Sequence, residues 1–116
     1  MKKMMMGLML TMASSTAFGA SMSCYVDTPA LDQFTSGFCG ASVFNGPRTT
    51  SAVFRIDNAP SNINTIIWSD SACSSSSTVC ITSIQAYGPK TVTATILKTD
   101  GTYEQASAQA EYELGF

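Results

Sequence analysis

Between Thr91 and Leu114 the chain alternates almost without interruption. Val92, Ala94 and Ile96 oppose three threonines, and Ala106, Ala108, Ala110, Tyr112 and Leu114 oppose Gln, Ser and Glu, with Asp100-Gly101 between the two runs. A period of two matches a pleated strand, whose successive side chains point to opposite faces, and Asp-Gly readily takes the positive φ angles of a tight turn. A helix would scatter these apolar residues around its circumference. The stretch therefore predicts a two-stranded antiparallel unit with one apolar face, and such a face needs a second layer to cover it.

The same pattern recurs upstream. Ser21 to Val26 alternates Met22, Cys24 and Val26 against Ser23 and Tyr25, and Asp27-Thr28-Pro29 ends it. Ala30 to Phe38 reads as a loop with at most one helical turn. Cys39 to Phe44 is closed by Asn45-Gly46-Pro47, and Thr49 to Ile56 follows with Ala52, Phe54 and Ile56 on one face, so these two segments are expected to pair as a hairpin. Ile63 to Trp68 is a nearly continuous apolar strand, of the kind buried in the middle of a sandwich. A Cys73 to Cys80 hairpin then leads to Val79 to Ala86, which places Val79, Ile81 and Ser83 opposite Cys80, Thr82 and Ile84 before Tyr87-Gly88-Pro89 turns the chain. About seven short strands with almost no helical periodicity predict an all-β fold, an immunoglobulin-like sandwich of antiparallel strands.

The first twenty residues have the composition of an export signal. Lys2 and Lys3 supply a basic start, Met4 to Ala13 an apolar stretch, and Ala17 and Gly19 a small-x-small site for cleavage before Ala20, with cleavage after Ala20 as the competitor. An apolar run of about ten residues is too short to cross roughly 30 Å of hydrocarbon. Ser21-Met22-Ser23 lacks the aliphatic residue that lipidation at Cys24 would need. The expected organisation is a bacterial signal peptide over residues 1–20 and a single domain over residues 21–116, secreted or periplasmic, with no transmembrane helix after cleavage.

Four cysteines, Cys24, Cys39, Cys73 and Cys80, follow this segment. An even number in an exported chain favours two disulfides over free thiols, and four cysteines allow three connectivities. Sequence-local pairing, Cys24 with Cys39 and Cys73 with Cys80, is expected because the second pair brackets the polar turn Ser74-Ser75-Ser76-Ser77-Thr78.

Composition narrows the chemistry. After residue 20, four basic residues (Arg48, Arg55, Lys90, Lys98) face eight acidic ones, for a formal charge of −4. Nucleic acid is a poor partner for such a surface, because binding it requires a basic footprint to displace counterions. The chain has no histidine, which removes Ser-His-Asp and Cys-His catalysis and histidine-based zinc sites. Lys90 and Lys98 flank a strand beside threonines, where a solvated surface role outweighs a Ser-Lys dyad. Glu111 and Glu113, two apart on one strand, share an outward face that keeps an edge soluble. Asp57, Asn58, Asp70 and Asp100 lie in or beside loops and could contact calcium, but they lack EF-hand spacing. The expectation is no cofactor, no metal and no catalytic residue.

Residues 62–114 also resemble a known family. Trp68 after an apolar strand, the run Gly88-Pro-Lys-Thr-Val92-Thr-Ala-Thr-Ile96, Asp100-Gly101 and the closing strand from Ala106 to Tyr112 are similar to the second half of bacterial immunoglobulin-like domains, especially the polycystic-kidney-disease (PKD) type. The resemblance implies a Trp filling the core between two sheets and a binding or spacer role. Two features depart from the family pattern. Ser69-Asp70-Ser71-Ala72-Cys73 replaces its usual Gly-Asp-Gly turn, and no obvious counterpart exists for the antibody-type disulfide that joins the sheets.

The remaining chemistry lies in the loops. Ser74, Ser75, Ser76, Ser77 and Thr78 form a small polar loop pinned at both ends, and pre-ordering of this kind lowers the entropy cost of binding. Arg48 is the one charge in the turn from Asn45 to Thr49. Tyr25, Tyr87, Tyr103 and Trp68 offer a less favoured aromatic platform for glycan. The reading is an exported, non-catalytic recognition or structural module that binds an extracellular or periplasmic protein or glycan through its loops. Its rival is an inhibitor of a secreted hydrolase acting through the Cys73 to Cys80 loop. A third, weaker reading takes the alternation of Tyr112, Leu114 and Phe116 as the last strand of a small outer-membrane β protein.

Overall fold

A computed structural model describes residues 19–29 and 32–115; the expected signal segment before Gly19 lies outside the described residues, as does Phe116. The strands are β1 (Ser21–Val26), β2 (Thr35–Ser36), β3 (Phe38–Phe44), β4 (Thr49–Asp57), β5 (Ile63–Trp68), β6 (Val79–Gln85), β7 (Lys90–Lys98) and β8 (Tyr103–Gly115). They form two four-stranded sheets, ordered β2-β1-β4-β6 and β3-β8-β7-β5. The fold is an all-β sandwich.

Alternation in the sequence becomes the layer between the sheets. Met22, Cys24 and Val26 of β1, with Ala52, Phe54 and Ile56 of β4, meet Val92, Ala94 and Ile96 of β7 and the alanines, Tyr112 and Leu114 of β8 in one core. Phe54, Val92 and Ile96 are fully buried, and side chains of that size each contribute roughly 1.5–3 kcal/mol when taken out of water. Tyr112 and Leu114 face this core, so the end of β8 packs against protein. The hairpin expected at Asp100-Gly101 is present: β7 and β8 pair antiparallel from Lys90↔Ala110 to Leu97↔Tyr103, with Gly101 at φ 88°.

Three expectations about pairing are corrected. Eight strands form among the described residues, in keeping with the expected number, but not all pairs are antiparallel, since β3 lies parallel to β8 from Phe38↔Gln109 to Phe44↔Gly115. Cys39 to Phe44 and Thr49 to Ile56 do not form a hairpin, because β3 and β4 belong to different sheets. Asn45 does take a positive φ of 54°, but the turn carries the chain across the sandwich. A Cβ on Gly46 would lie 2.8 Å from the Tyr112 hydroxyl and 3.0 Å from Val43, so only glycine fits where this crossover presses on the core. The Cys73 to Cys80 segment is likewise a crossover between sheets.

The helical turn considered for Ala30 to Phe38 is also absent among the described residues. Thr35 and Ser36 pair with Cys24 and Ser23 as the short strand β2, and Phe34 just before it packs on the outer face of its sheet. There Phe34 meets Tyr25 edge-on at 4.9 Å between centroids. Arg55 lies 3.9 Å from the centre of the Phe34 ring and donates from Nε to Asp57 at 2.8 Å.

Trp68 is in the core layer but at its margin. It pairs with Ala94, a fully buried residue, so it points inward; it is partly exposed, and its indole N–H is buried without a partner.

Candidate functional site

The serine loop lies on one lateral side of the sandwich. After Trp68, Ser69 donates its N–H to Thr93 O and accepts from Thr93 N–H at its hydroxyl, which carries the chain past the end of β5. Asp70 then turns it. Its Oδ1 accepts the Ala72 N–H at 2.9 Å, while its Oδ2 accepts from the Thr82 hydroxyl at 3.0 Å and from Lys90 Nζ at 3.2 Å. These contacts, the Ala72 N–H first and then Lys90 and Thr82, hold the Asp70 carboxyl below the usual carboxylate range. Lys90 is thus an ion-pair partner of Asp70.

From Asp70 the chain runs back along the free edge of β5, and Ser75 O accepts the Ile66 N–H at 3.0 Å. Thr78 O accepts from Ile56 N–H before β6 begins. The Cys73–Cys80 disulfide fastens this strap to β6, where Cys80 is buried. The Ser74 and Ser76 hydroxyls are 3.0 Å apart, and Ser77 Oγ both donates to Val79 O and accepts from Val79 N–H. Ser74, Ser75 and Ser76 are exposed, with Ser77 and Thr78 half-buried. The loop is pre-ordered, as expected, and its backbone also covers the edge of β5, a role its composition does not announce.

Arg48 lies elsewhere. Ala86 N–H donates to Arg48 O at 2.8 Å, the Tyr112 hydroxyl to Pro47 O at 2.6 Å and the Tyr87 hydroxyl to Leu114 O. The turns at residues 45–48 and 86–89 therefore gather at the end of the sandwich where β4 starts and β6 ends. In the β4–β6 register, Thr49 pairs with Gln85 at that end and Arg55 with Val79 at the other. The strap enters β6 at the Val79 end, so Arg48 and the residues just before Val79 do not converge on one site.

The loop carboxylates are dispersed too. Asp57 is engaged by Arg55, Asp70 by Lys90, and Asp100 by the Thr102 hydroxyl and N–H, which hold its carboxyl low. Among the described residues, no three metal-ligating side chains come together. Nor do the aromatics form a platform: Tyr25 meets Phe34 edge-on, Trp68 faces inward, and Tyr87 and Tyr103 are exposed at separate places, on the turn after β6 and at the start of β8. Among the described residues, no helix is long and apolar enough to cross a membrane.

On the opposite side Gly37 bridges the sheets, donating its N–H to Met22 O and accepting from Gln109 N–H, and the edge of β3 lacks a strand partner among the described residues. A groove of about 450 Å³ runs between β3 and the segment leaving β1, lined by Tyr25, Thr28, Asp32, Gln33 and Phe38 among others. Beyond β3, on the outer face of its sheet, a second depression is bounded by Phe38, Gly40, Ser42, Glu111 and Glu113. The β3 strand separates them. Sequence reading missed this feature because its residues lie up to 88 positions apart, from Tyr25 to Glu113.

Compared with known proteins, the chain matches no family model, no curated protein and no solved structure.

Proposed function

We propose that this chain is an exported recognition module on an immunoglobulin-like frame, binding a protein or glycan outside the cytoplasm through surface it holds pre-ordered. The carrying observation is the strap from Ser69 to Thr78. It is fixed by a disulfide at Cys73 and Cys80, by Asp70 to Lys90 and Thr82, and by Ser75 O to Ile66 N–H, yet it presents Ser74, Ser75 and Ser76 to solvent. A surface ordered before contact loses little entropy on binding. Two disulfides support an oxidising compartment, periplasmic or extracellular.

The strand order supports the immunoglobulin-like frame. The series β1-β4-β6 corresponds to strands A, B and E of that fold, and β8-β7-β5 to G, F and C, with β3 added beside the last strand. On this reading β5 would be strand C, and Trp68 at its end packs against the margin of the core. The test is site-specific photo-cross-linking of the exported protein, with cross-linkers at Ser75, Arg48 and Asn58. Capture of one defined partner from an exposed loop position supports the module reading, and robust turnover of any substrate by clean protein overturns it.

The exposed, stapled serines also favour a second reading, inhibition of a secreted hydrolase by insertion of this loop. Titration against a panel of such hydrolases separates the two: stoichiometric inhibition, lost when Ser75 to Thr78 are changed with both cysteines kept, selects the inhibitor.

A further inference from the structure

Each sheet of an open sandwich ends in a strand with unpaired amide and carbonyl groups, and proteins cover or charge such edges to prevent pairing with other chains. In the β3-β8-β7-β5 sheet the two edges are treated differently. The β5 edge is capped by the strap, with Ser75 O on Ile66 N–H. The β3 edge carries no strand partner among the described residues, with only Phe38 O at its start taken by the Thr35 hydroxyl, and its sequence, Phe-Cys-Gly-Ala-Ser-Val-Phe, holds no charge and no proline.

What surrounds β3 specifies a ligand. Its outward side chains are Phe38, Gly40, Ser42 and Phe44, with Phe38 50% and Phe44 73% exposed at the two ends. Between those rings stand the two smallest residues, and directly behind them, in register, Gly40 pairs with Glu111 and Ser42 with Glu113. Neither glutamate has a cation partner among the described residues. Strands lie about 4.8 Å apart, so a strand added outside β3 sits about two spacings from β8, within reach of a Lys or Arg side chain extended over a glycine and a serine. Glu111 and Glu113 repeat every second residue, the spacing of same-face residues on such a strand. Its alternate side chains would enter the groove behind β3, beside Tyr25, Gln33 and Asp32.

We propose that β3 is a docking edge for an extended peptide of a partner protein, bound by strand addition, with basic residues at every second position over Glu111 and Glu113. This deepens the recognition reading and rests on it. A second copy of this chain fits poorly, because edge-to-edge pairing of two β3 strands would flank the seam with the glutamates of both copies and bring no cation to either pair.

Fluorescence anisotropy with the disulfide-bonded protein tests the proposal. The probe is a labelled peptide of about seven residues with lysine at alternate positions and threonine or valine between. Saturable binding is expected, with an affinity at least about tenfold weaker for the Glu111→Gln/Glu113→Gln variant and for Ser42→Lys, which supplies its own cation. Both variants should melt like the parent. N-methylation of alternate peptide amides should abolish binding, and backbone NMR shifts should follow Phe38 to Phe44. No binding, equal affinity for a control peptide with glutamate in place of each lysine, insensitivity to N-methylation, or shifts confined to β6 or to residues 74–78 would each overturn the proposal. So would a β3-mediated dimer that excludes the peptide. Absence of peptide binding together with a partner cross-linked at Ser75 leaves loop recognition intact and removes only the edge.

Discussion

Cys24 and Cys39 tie the two sheets to each other: Cys24 is on β1 of one sheet, Cys39 is on β3 of the other, and their Cα atoms are 5.7 Å apart. The bond links the two sheets beside the groove at β3. It fills the role of a sheet-spanning disulfide, for which the sequence offered no counterpart, using two early strands. Removing it by Cys24→Ala/Cys39→Ala should cost about 3 kcal/mol, the chain-entropy value for a loop of about 15 residues. Denaturant melts should show this as a lower midpoint. Both sulfurs are buried, so mild reductant should leave the native bond intact until the domain opens; rapid reduction of the folded protein would refute the burial argument.

The elements legible in the sequence are those whose cause is local. Ser21–Val26 and the Asp100-Gly101 hairpin follow from alternation and turn chemistry, and the sequence-local cysteine pairs match the structure. Pairing partners were less legible. Asn45-Gly46 takes the backbone of a tight turn, but Gly46 is squeezed by Tyr112 and Val43, a constraint imposed from the far end of the chain. A crossover and a hairpin have the same local sequence; only the long-range register, β3 beside β8, distinguishes them. The β3 edge was illegible for the same reason, since Gly40 and Ser42 become significant only once Glu111 and Glu113 stand behind them.

Trp68 sits at the core margin, which moderates the penalty for losing it. Trp68→Ala should destabilise by about 3 kcal/mol, the lower end for a large aromatic. Trp68→Phe should cost less than about 1.5 kcal/mol, because it also removes a buried N–H that has no acceptor. Chemical denaturation of both variants by circular dichroism measures the difference. As the single tryptophan, Trp68 reports unfolding of the parent by a red shift in emission. A Phe variant as damaged as the Ala variant would show that the N–H is in fact satisfied.

Asp70 predicts an acid limb of stability. Its carboxyl is held below its ordinary value by the Ala72 N–H, then by Lys90 and Thr82. A depressed folded-state value means that its contribution is fully present above the unfolded pKa, about 3.9, and is lost as pH falls through the lowered folded value. Melting temperature should therefore drop below about pH 4 in the parent, and Asp70→Asn should flatten part of that drop. At neutral pH the variant should cost roughly 1.5–3 kcal/mol, the scale of hydrogen bonds to a charged group. An unchanged acid profile would mean that Asp70 gains nothing from folding.

The last prediction concerns where the chain would begin once the proposed export signal is removed. The Ala20 nitrogen donates to Glu104 Oε1 at 2.7 Å, and Lys98 Nζ to Glu104 Oε2 at 2.8 Å. Lys98 first, and then the Ala20 N–H, hold the Glu104 carboxyl below its usual range. Cleavage before Ala20 would make this nitrogen an ammonium and convert its hydrogen bond to an ion pair. Cleavage after Ala20 would delete the contact. Intact mass of the exported protein should therefore correspond to a chain starting at Ala20. The authentic protein should also be more stable by about 0.5–1 kcal/mol than one carrying an extra Met-Gly before Ala20, the scale of a partly exposed ion pair. Glu104→Gln should erase that difference. Glu104, like Asp70, contributes above its unfolded pKa of about 4.3 and loses that contribution as pH falls through the lowered folded value, so the gap should close in acid. A mature chain starting at Ser21, or a gap that survives Glu104→Gln, would show that Glu104 does not hold the new terminus.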